Sequence, residues 1–183
     1  MSCAVSLGSS KNEAKNDDLS LDLDESGSVH VFKVVLYDGE NQVAFASMTK
    51  EEMHHSKLLS TSVENDSRAD EVPLRVDKAV CLNIYTFEKA ISYLKKHRGE
   101  EIVIPERPLG FLNLTDIWKD PWDVEFIEKV YSESKSCDRL YELMNAANYL
   151  DINPLIHLVG TKLAYIINRT DPSKLHKELG LRA

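Results

Sequence analysis

The first regular pattern in the chain is a run of β-branched residues followed by a turn and a second apolar run. Residues 29–36 are rich in valine and predict a strand. The pair Asp38-Gly39 separates them from the apolar residues 42–45. Because glycine adopts positive φ without a steric penalty, this pair predicts a tight hairpin between two strands.

A helix, a loop and an edge strand are expected next. Thr49 and Glu52 have the spacing of a capping box, which predicts a short helix that ends at Leu58 or Leu59. The polar residues 60–71 predict a loop. Residues 72–76 predict a strand, and the proline within it restricts that strand to the edge of a sheet or to a strand start.

Helical periodicity dominates the rest of the chain. Apolar residues recur at helical spacing from Phe87 to Leu94, with Thr86 as the expected N-cap and residues 97–99 as the stop. Residues 100–115 predict a long connection. Beyond it, three Asx-Pro pairs predict helix starts, because Asx is a favoured N-cap and proline is tolerated at the first helical position. They are Asp120-Pro121, Asn153-Pro154 and Asp171-Pro172, with another helix from about Asp138 and the last helix ending at Gly180.

Strands come first and helices later, which predicts an α+β fold with a small sheet packed against helices. We expect three regions. Residues 1–28 predict a disordered tail, because the segment from 9 to 28 is dominated by polar and charged residues. Residues 29–115 form the first part of the folded domain, and residues 116–183 form its C-terminal helices.

Charge and composition exclude several classes of protein. The 183 residues include 22 Lys and Arg against 30 Asp and Glu, a formal net charge of −8, which disfavours non-specific binding to nucleic acid. No apolar run approaches the ~18 residues of a membrane helix, and the first residues do not have the pattern of a secretory signal. The three cysteines are far apart in the sequence and form no CxxC pair, which favours a reducing compartment, the cytoplasm or the nucleus.

The sequence contains no recognisable catalytic or cofactor motif, so we expect a protein that is not an enzyme and binds no cofactor. Phosphate-binding, nucleophile-elbow and zinc-protease motifs are missing. His54 and His55 are consecutive and therefore point about 100° apart on a helix, which makes them poor metal ligands together, and we expect no metal site. Cys137 has the surroundings of a helix entrance rather than those of a nucleophile.

The C-terminal helices are apolar on more than one stripe, from Leu140 to Leu150 and again from Leu163 to Ile167. A surface helix needs one apolar stripe to pack on its own core. The second stripe indicates either a surface that binds a partner or a helix buried on several sides, and periodicity does not distinguish the two.

Three segments of this region resemble the S-phase kinase-associated adaptor family, which bridges cullins and F-box proteins in SCF ubiquitin ligases. They are Asp120-Pro-Trp-Asp-Val-Glu-Phe-Ile127, Leu140-Tyr-Glu-Leu-Met-Asn-Ala-Ala-Asn-Tyr-Leu-Asp-Ile152 and Lys162-Leu-Ala-Tyr-Ile-Ile167. The resemblance is strong from about Asp120 to Arg169 and weaker over the remainder outside the tail. It implies a BTB/POZ-like fold with a C-terminal helical extension, and a non-catalytic adaptor function.

The resemblance also implies site residues. The cullin contacts of the family correspond here to Asn148 and Tyr149. The F-box contacts correspond to Leu140, Tyr141, Leu163, Ile166 and Ile167. In some protist members the proline that matches Pro154 is hydroxylated and then glycosylated.

The chain departs from the family pattern in three respects. Residues 100–119 do not carry the usual acidic loop, and Tyr141 replaces the usual phenylalanine. Members usually continue past the position of Ala183 with one or two further helices, so this chain resembles a divergent member with a short C-terminus. The alternative is an elongin-C-like or BTB-like interaction module that forms homodimers or binds partners other than F-box proteins.

Overall fold

The computed structural model describes residues 29–65, 70–105, 113–134 and 136–180. Three strands and eight helices lie within them: β1 (Val31–Asp38), β2 (Asn41–Thr49), α1 (Lys50–Met53), α2 (Lys57–Asn65), β3 (Glu71–Arg75), α3 (Ile84–Lys96), α4 (Leu114–Ile117), α5 (Pro121–Ser132), α6 (Asp138–Tyr149), α7 (Asn153–Arg169) and α8 (Pro172–Glu178). This order confirms the α+β prediction. The predicted tail, residues 1–28, lies outside the described residues.

The strands form one sheet in the order β2-β1-β3. β2 pairs antiparallel with β1 through the predicted hairpin, in which Gly39 has φ +62°. β3 pairs parallel with β1, so that both β2 and β3 are edge strands within the described part of the chain. The edge position of β3 agrees with the expectation from Pro73, which cannot donate a ladder hydrogen bond.

One face of the sheet packs on the helices, and the other face exposes Val31 and Phe45 while covering Val35. Phe32, Val34 and Leu36 of β1 are buried on the inner face, where Met48, Val72 and Leu74 join them. The same buried cluster includes residues of α3, α5, α6 and α7. Burial of these side chains is the main source of stability, at about 25 cal/mol for each Å² of apolar surface removed from water.

Helix ends confirm most, but not all, of the predicted caps. Thr49 and Glu52 form the expected capping box, and Asp120 and Asp171 cap α5 and α8 with their side chains. The Asn153-Pro154 pair marks the start of α7 as predicted, but Ile152 takes the N-cap position and Asn153 is the first helical residue.

The predicted N-cap of α3 is wrong. Asn83 caps the helix by accepting a hydrogen bond from the Thr86 amide at 3.1 Å. The Thr86 hydroxyl in turn accepts from the Asn83 amide at 3.0 Å, so Thr86 is the third residue of a capping box rather than its first. Both residue types can cap a helix, and the sequence does not show which of them begins the turn.

The predicted loop over residues 60–71 is wrong in its first half, because α2 continues to Asn65. Leu59 and Val63 are buried one turn apart and hold this polar helix against the core. Most of its other positions face water and are polar, and for this reason the segment lacks the apolar periodicity that predicts a helix. None of the helices that the structure describes is long and apolar enough to cross a membrane.

Candidate functional site

The Ala-Ala-Asn-Tyr-Leu-Asp-Ile run closes α6 and leads into α7. Its four apolar aliphatic residues are fully buried; they are Ala146, Ala147, Leu150 and Ile152. The two residues between them have a different environment, because Asn148 is exposed and Tyr149 retains 37% of its accessible surface. The core therefore accounts for the apolar members of the run, but not for Asn148 and Tyr149.

The chain reverses sharply after Tyr149. Asp151 has φ +51°, a left-handed conformation that aspartate tolerates better than most residues. The amide of Asp151 donates to the Asn148 carbonyl at 3.2 Å, and the amide of Ile152 donates to the Ala147 carbonyl at 2.9 Å. These bonds fix the direction in which α6 ends and keep Asn148 and Tyr149 at its exposed tip.

The start of α2 is fastened to this turn. The buried Ser56 hydroxyl donates to the Leu150 carbonyl at 2.6 Å and accepts from the Leu59 amide at 3.3 Å. Next to it, the Lys57 amide donates to the Asp151 carbonyl at 3.2 Å. One serine therefore caps α2 and also joins it to the turn between α6 and α7.

An open groove of about 650 Å³ lies between α2 and the tip of α6. It is lined by Lys57, Leu58, Thr61, Ser62, Asn65, Asn148, Tyr149 and Asp151. The lining combines apolar surface from Leu58 and Tyr149 with amide and hydroxyl groups, and it contains no paired nucleophile and base. Surfaces that mix apolar and polar groups in this way are common at protein–protein interfaces.

Sequence reasoning found the α6 side of the groove and missed the α2 side. The missed residues are Leu58, Thr61, Ser62 and Asn65, which fall on or after the predicted helix end. A signal was present in the sequence, because Ser56 precedes apolar residues at Leu59 and Val63 with the spacing of an N-cap and one helical face.

The five residues expected at the F-box surface do not form one open patch. Ile167 is 44% exposed and Tyr141 is half-buried. The other three are buried within this chain, with exposures of 0% for Leu140, 8% for Leu163 and 6% for Ile166. Most of the second apolar stripe is thus used for internal packing, while Ile167 remains at the surface.

Helix α8 folds back on the beginning of α6. The Cys137 amide donates to the Glu178 carbonyl at 3.2 Å, and the Tyr131 hydroxyl donates to the Glu178 carboxylate. That hydrogen bond raises the pKa of Tyr131 to about 12. Leu179 is buried at the end of this helix.

Pro154 lies in the first turn of α7 and is buried. Its hydroxylation and glycosylation, which the resemblance implies, stay a prediction.

A possible ligand cluster that the sequence analysis missed lies between α3 and α5. Potential donor atoms of His97, Asp120 and Asp123 lie within 4.8 Å of one another. The His97 and Asp123 side chains are both 3% exposed and are hydrogen-bonded to each other at 2.8 Å. Asp120 accepts from the Lys96 ammonium at 2.8 Å and from the Trp122 amide at 2.8 Å.

These contacts have a structural role, because they connect the end of α3 to the start of α5. The Lys96 ammonium and the Trp122 amide hold the pKa of the Asp120 carboxyl below its usual range. A metal ion would have to displace that ammonium and break the buried hydrogen bond between His97 and Asp123. The side chains of Lys96, His97, Asp120 and Asp123 together hold the start of α5 against the end of α3.

The other residues considered for chemistry lie apart from one another. His55 is half-buried with its ring nitrogen 2.8 Å from the Glu100 carbonyl, and burial lowers its pKa, while His54 is exposed. Cys137 is fully buried, and burial raises the pKa of its thiol. A raised pKa disfavours the thiolate that a nucleophilic cysteine requires.

Comparisons with known proteins extend over most of the chain. No family model matches it. The chain is 29% identical to the S-phase kinase-associated protein 1 homolog of Tetrahymena thermophila over 150 residues, which cover 81% of this chain and 82% of that protein. It is 30% identical to SKP1-like protein 13 of Arabidopsis thaliana over 129 residues, which cover 69% of this chain and 71% of that protein.

A third relative, SKP1-like protein 11 of Arabidopsis thaliana, is 28% identical over 127 residues. Identity at this level over more than two thirds of each protein agrees with the fold and with the sequence run that ends α6. The chain therefore belongs to the family of S-phase kinase-associated protein 1, the SKP1 family.

Proposed function

We propose that this protein is a non-catalytic adaptor that joins a cullin scaffold to F-box substrate receptors in an SCF-type ubiquitin ligase, in the cytoplasm and nucleus. The observation that carries the proposal is the contrast within the run that closes α6. Asn148 and Tyr149 are exposed at the tip of the helix, whereas the apolar residues around them are fully buried.

The side chain of Tyr149 is 37% exposed and lies on the groove. Tyr149 presents a large apolar ring and a hydroxyl group to the groove, and this combination is enriched at protein interfaces. Asn148 adds an amide that can donate and accept hydrogen bonds. We assign the groove between α2 and the tip of α6 to the cullin.

The cullin surface is tested with purified proteins. The variant Asn148→Ala/Tyr149→Ala is compared with wild type for binding to a purified cullin N-terminal domain by isothermal titration calorimetry. We expect at least about a tenfold loss of affinity, because truncation of a hot-spot tyrosine costs about 2 kcal/mol or more and tenfold corresponds to about 1.4 kcal/mol. Unchanged affinity, with binding of wild type established, would rule out this assignment.

Asn168→Ala provides the control. Asn168 is exposed near the end of α7, about 15 residues from the start of that helix and therefore on the order of 20 Å from the groove. Its replacement should leave cullin affinity unchanged. An equal loss in this variant would show that the assay reports general damage rather than the groove.

For the F-box receptor we propose a separate surface that includes Ile167 and Tyr141. These are the accessible members of the expected set, and the two surfaces share no residue. A receptor would contact Leu140, Leu163 and Ile166 only after the packing around them moved. Ile167→Asp should therefore weaken capture of a purified F-box protein without affecting the cullin, and simultaneous loss of both partners would contradict two separate surfaces.

A further inference from the structure

The groove between α2 and the tip of α6 has two walls that come from distant parts of the chain. Residues of α2 line one wall, and Asn148, Tyr149 and Asp151 line the other. A partner that contacts both walls binds more tightly when they already stand in the bound arrangement, because ordering them on binding costs free energy. The relative position of the two walls in the free protein therefore affects affinity.

Two hydrogen bonds connect the walls to each other. The Ser56 hydroxyl donates to the Leu150 carbonyl at 2.6 Å, and the Lys57 amide donates to the Asp151 carbonyl at 3.2 Å. In the part of the chain that the structure describes, no further hydrogen bond joins Ser56 or α2 to α6 or to the turn after it. Only the first of the two bonds comes from a side chain, so a substitution can remove it.

The same two bonds hold the unusual backbone of the turn. Asp151 has φ +51°, a conformation that costs free energy and persists only where the surrounding structure maintains it. The Leu150 and Asp151 carbonyls belong to the two peptide groups that flank the Cα atom of Asp151, so fixing both carbonyls fixes both backbone angles of that residue. The direction of Tyr149, two residues earlier, depends on this turn.

Ser56 does not reach the groove itself. Its side chain is fully buried and is not part of the groove lining. Along α2 only Leu59 and Val63 are buried, so few side chains other than Ser56 fix the position of this helix. Any effect of Ser56 on a bound partner must therefore act through the position of α2 and of the turn.

We infer, on the basis of the adaptor function proposed above, that Ser56 is a positioning residue for the cullin. It holds α2 and Tyr149 in the one arrangement that the partner binds. Without its hydroxyl, only a fraction of the free molecules has both walls in place, and the apparent dissociation constant rises by the inverse of that fraction. The association rate constant falls by the same factor, while the dissociation rate constant stays the same because Ser56 makes no contact with the partner.

Surface plasmon resonance with the full chain and a purified cullin N-terminal domain measures both rate constants. We expect Ser56→Ala to lower the association rate constant at least about fivefold, with little change in the dissociation rate constant. Ile127→Ala is the matched control, because this fully buried residue of α5 stabilises the core and α5 contributes nothing to the groove. Its rate constants should stay within about twofold of those of wild type.

A conservative variant separates the hydroxyl from general damage at this site. Ser56→Thr keeps both the hydroxyl and a residue type that caps helices, so it should bind the cullin within about twofold of wild type. Far-UV circular dichroism shows that each variant is folded at the temperature of the measurement.

Hydrogen exchange of the wild-type protein keeps the test decisive if Ser56→Ala does not fold. The Lys57 amide, at the start of α2, and the Ile152 amide, in the turn, should report the same free energy of opening, because the bonds from Ser56 and Lys57 make these segments open together. Exchange at Lys57 much faster than at Ile152 would show that α2 moves independently and would overturn the inference.

The binding results distinguish this inference from the function on which it rests. If wild type does not bind the cullin, the adaptor function is wrong and Ser56 has no such role. If wild type binds and Asn148→Ala/Tyr149→Ala does not, but Ser56→Ala binds as wild type does, only the role of Ser56 is wrong. Equal losses in Ser56→Ala and Ile127→Ala would also overturn it, since they would reflect general loss of stability.

Discussion

The serine that joins α2 to the turn after α6 allows a quantitative test of how the groove is held together. Ser56→Ala removes the hydroxyl that donates to the Leu150 carbonyl at 2.6 Å, at a site where both residues are fully buried. Depriving a buried carbonyl of its donor costs about 1–3 kcal/mol. Loss of the cap on the Leu59 amide adds about 1 kcal/mol.

The free energy of unfolding should therefore fall by about 2–4 kcal/mol in Ser56→Ala. For a chain of this size, that change lowers Tm by about 4–16 °C. Urea unfolding followed by circular dichroism measures the effect, with an unchanged m-value showing that the compactness of the end states is preserved.

Ser62→Ala is the matched control. Ser62 lies in the same helix and its hydroxyl donates to the Leu58 carbonyl at 2.8 Å, within that helix. Because the bond joins no other element and the side chain is half-buried, its loss should change stability by less than about 0.5 kcal/mol. A Ser56→Ala variant no less stable than this control would refute the argument that Ser56 fastens α2 to the turn.

Three further predictions concern the contacts between α3 and α5 and the buried core of α6. His97→Ala should cost about 3–5 kcal/mol because it leaves Asp123 buried without its partner, and a double-mutant cycle with Asp123→Ala should show strong coupling; simple additivity would contradict this. Asp120→Asn removes the ion pair with Lys96; because the folded pKa of Asp120 is lowered, the stability that the carboxylate contributes is present above its unfolded pKa of about 4 and is lost as pH falls through the folded pKa. Unfolding curves of wild type and this variant should differ at neutral pH and converge in acid, and a constant difference would be evidence against the ion pair. Leu143→Ala, at a fully buried position of α6, should cost about 2–5 kcal/mol in urea unfolding, and a loss below about 1 kcal/mol would mean that the site is not part of the packed core.

Short sequence patterns predicted one hairpin and three helix starts correctly, because in each case the signal lies within a few neighbouring residues. Asp38-Gly39 predicted its hairpin, and the Thr49 capping box and the Asp-Pro pairs at Asp120 and Asp171 predicted three helix starts. Each of these signals acts between residues at most four positions apart, so the sequence contains the whole interaction. The N-cap prediction for Thr86 was wrong because Asn83, three residues earlier, can cap the same helix. At α7 the start was predicted within one residue, but the N-cap is Ile152 rather than Asn153.

The candidate site was predicted only in part. The resemblance pointed to Asn148 and Tyr149, and the structure places both at an open surface, but the α2 side of the groove depends on a hydrogen bond from Ser56 to a residue 94 positions away. No local pattern contains a contact of that separation. Such contacts form only when the chain has folded.

The sequence by itself determined the family, the α+β order of elements and the apolar stripe of each helix, because these follow from residue type and spacing. Only the tertiary structure decided which stripes are covered. Leu140 and Ile167 are both apolar residues of C-terminal helices, yet one is fully buried and the other is 44% exposed. Periodicity gives the direction in which a side chain points, but exposure depends on which other elements pack there.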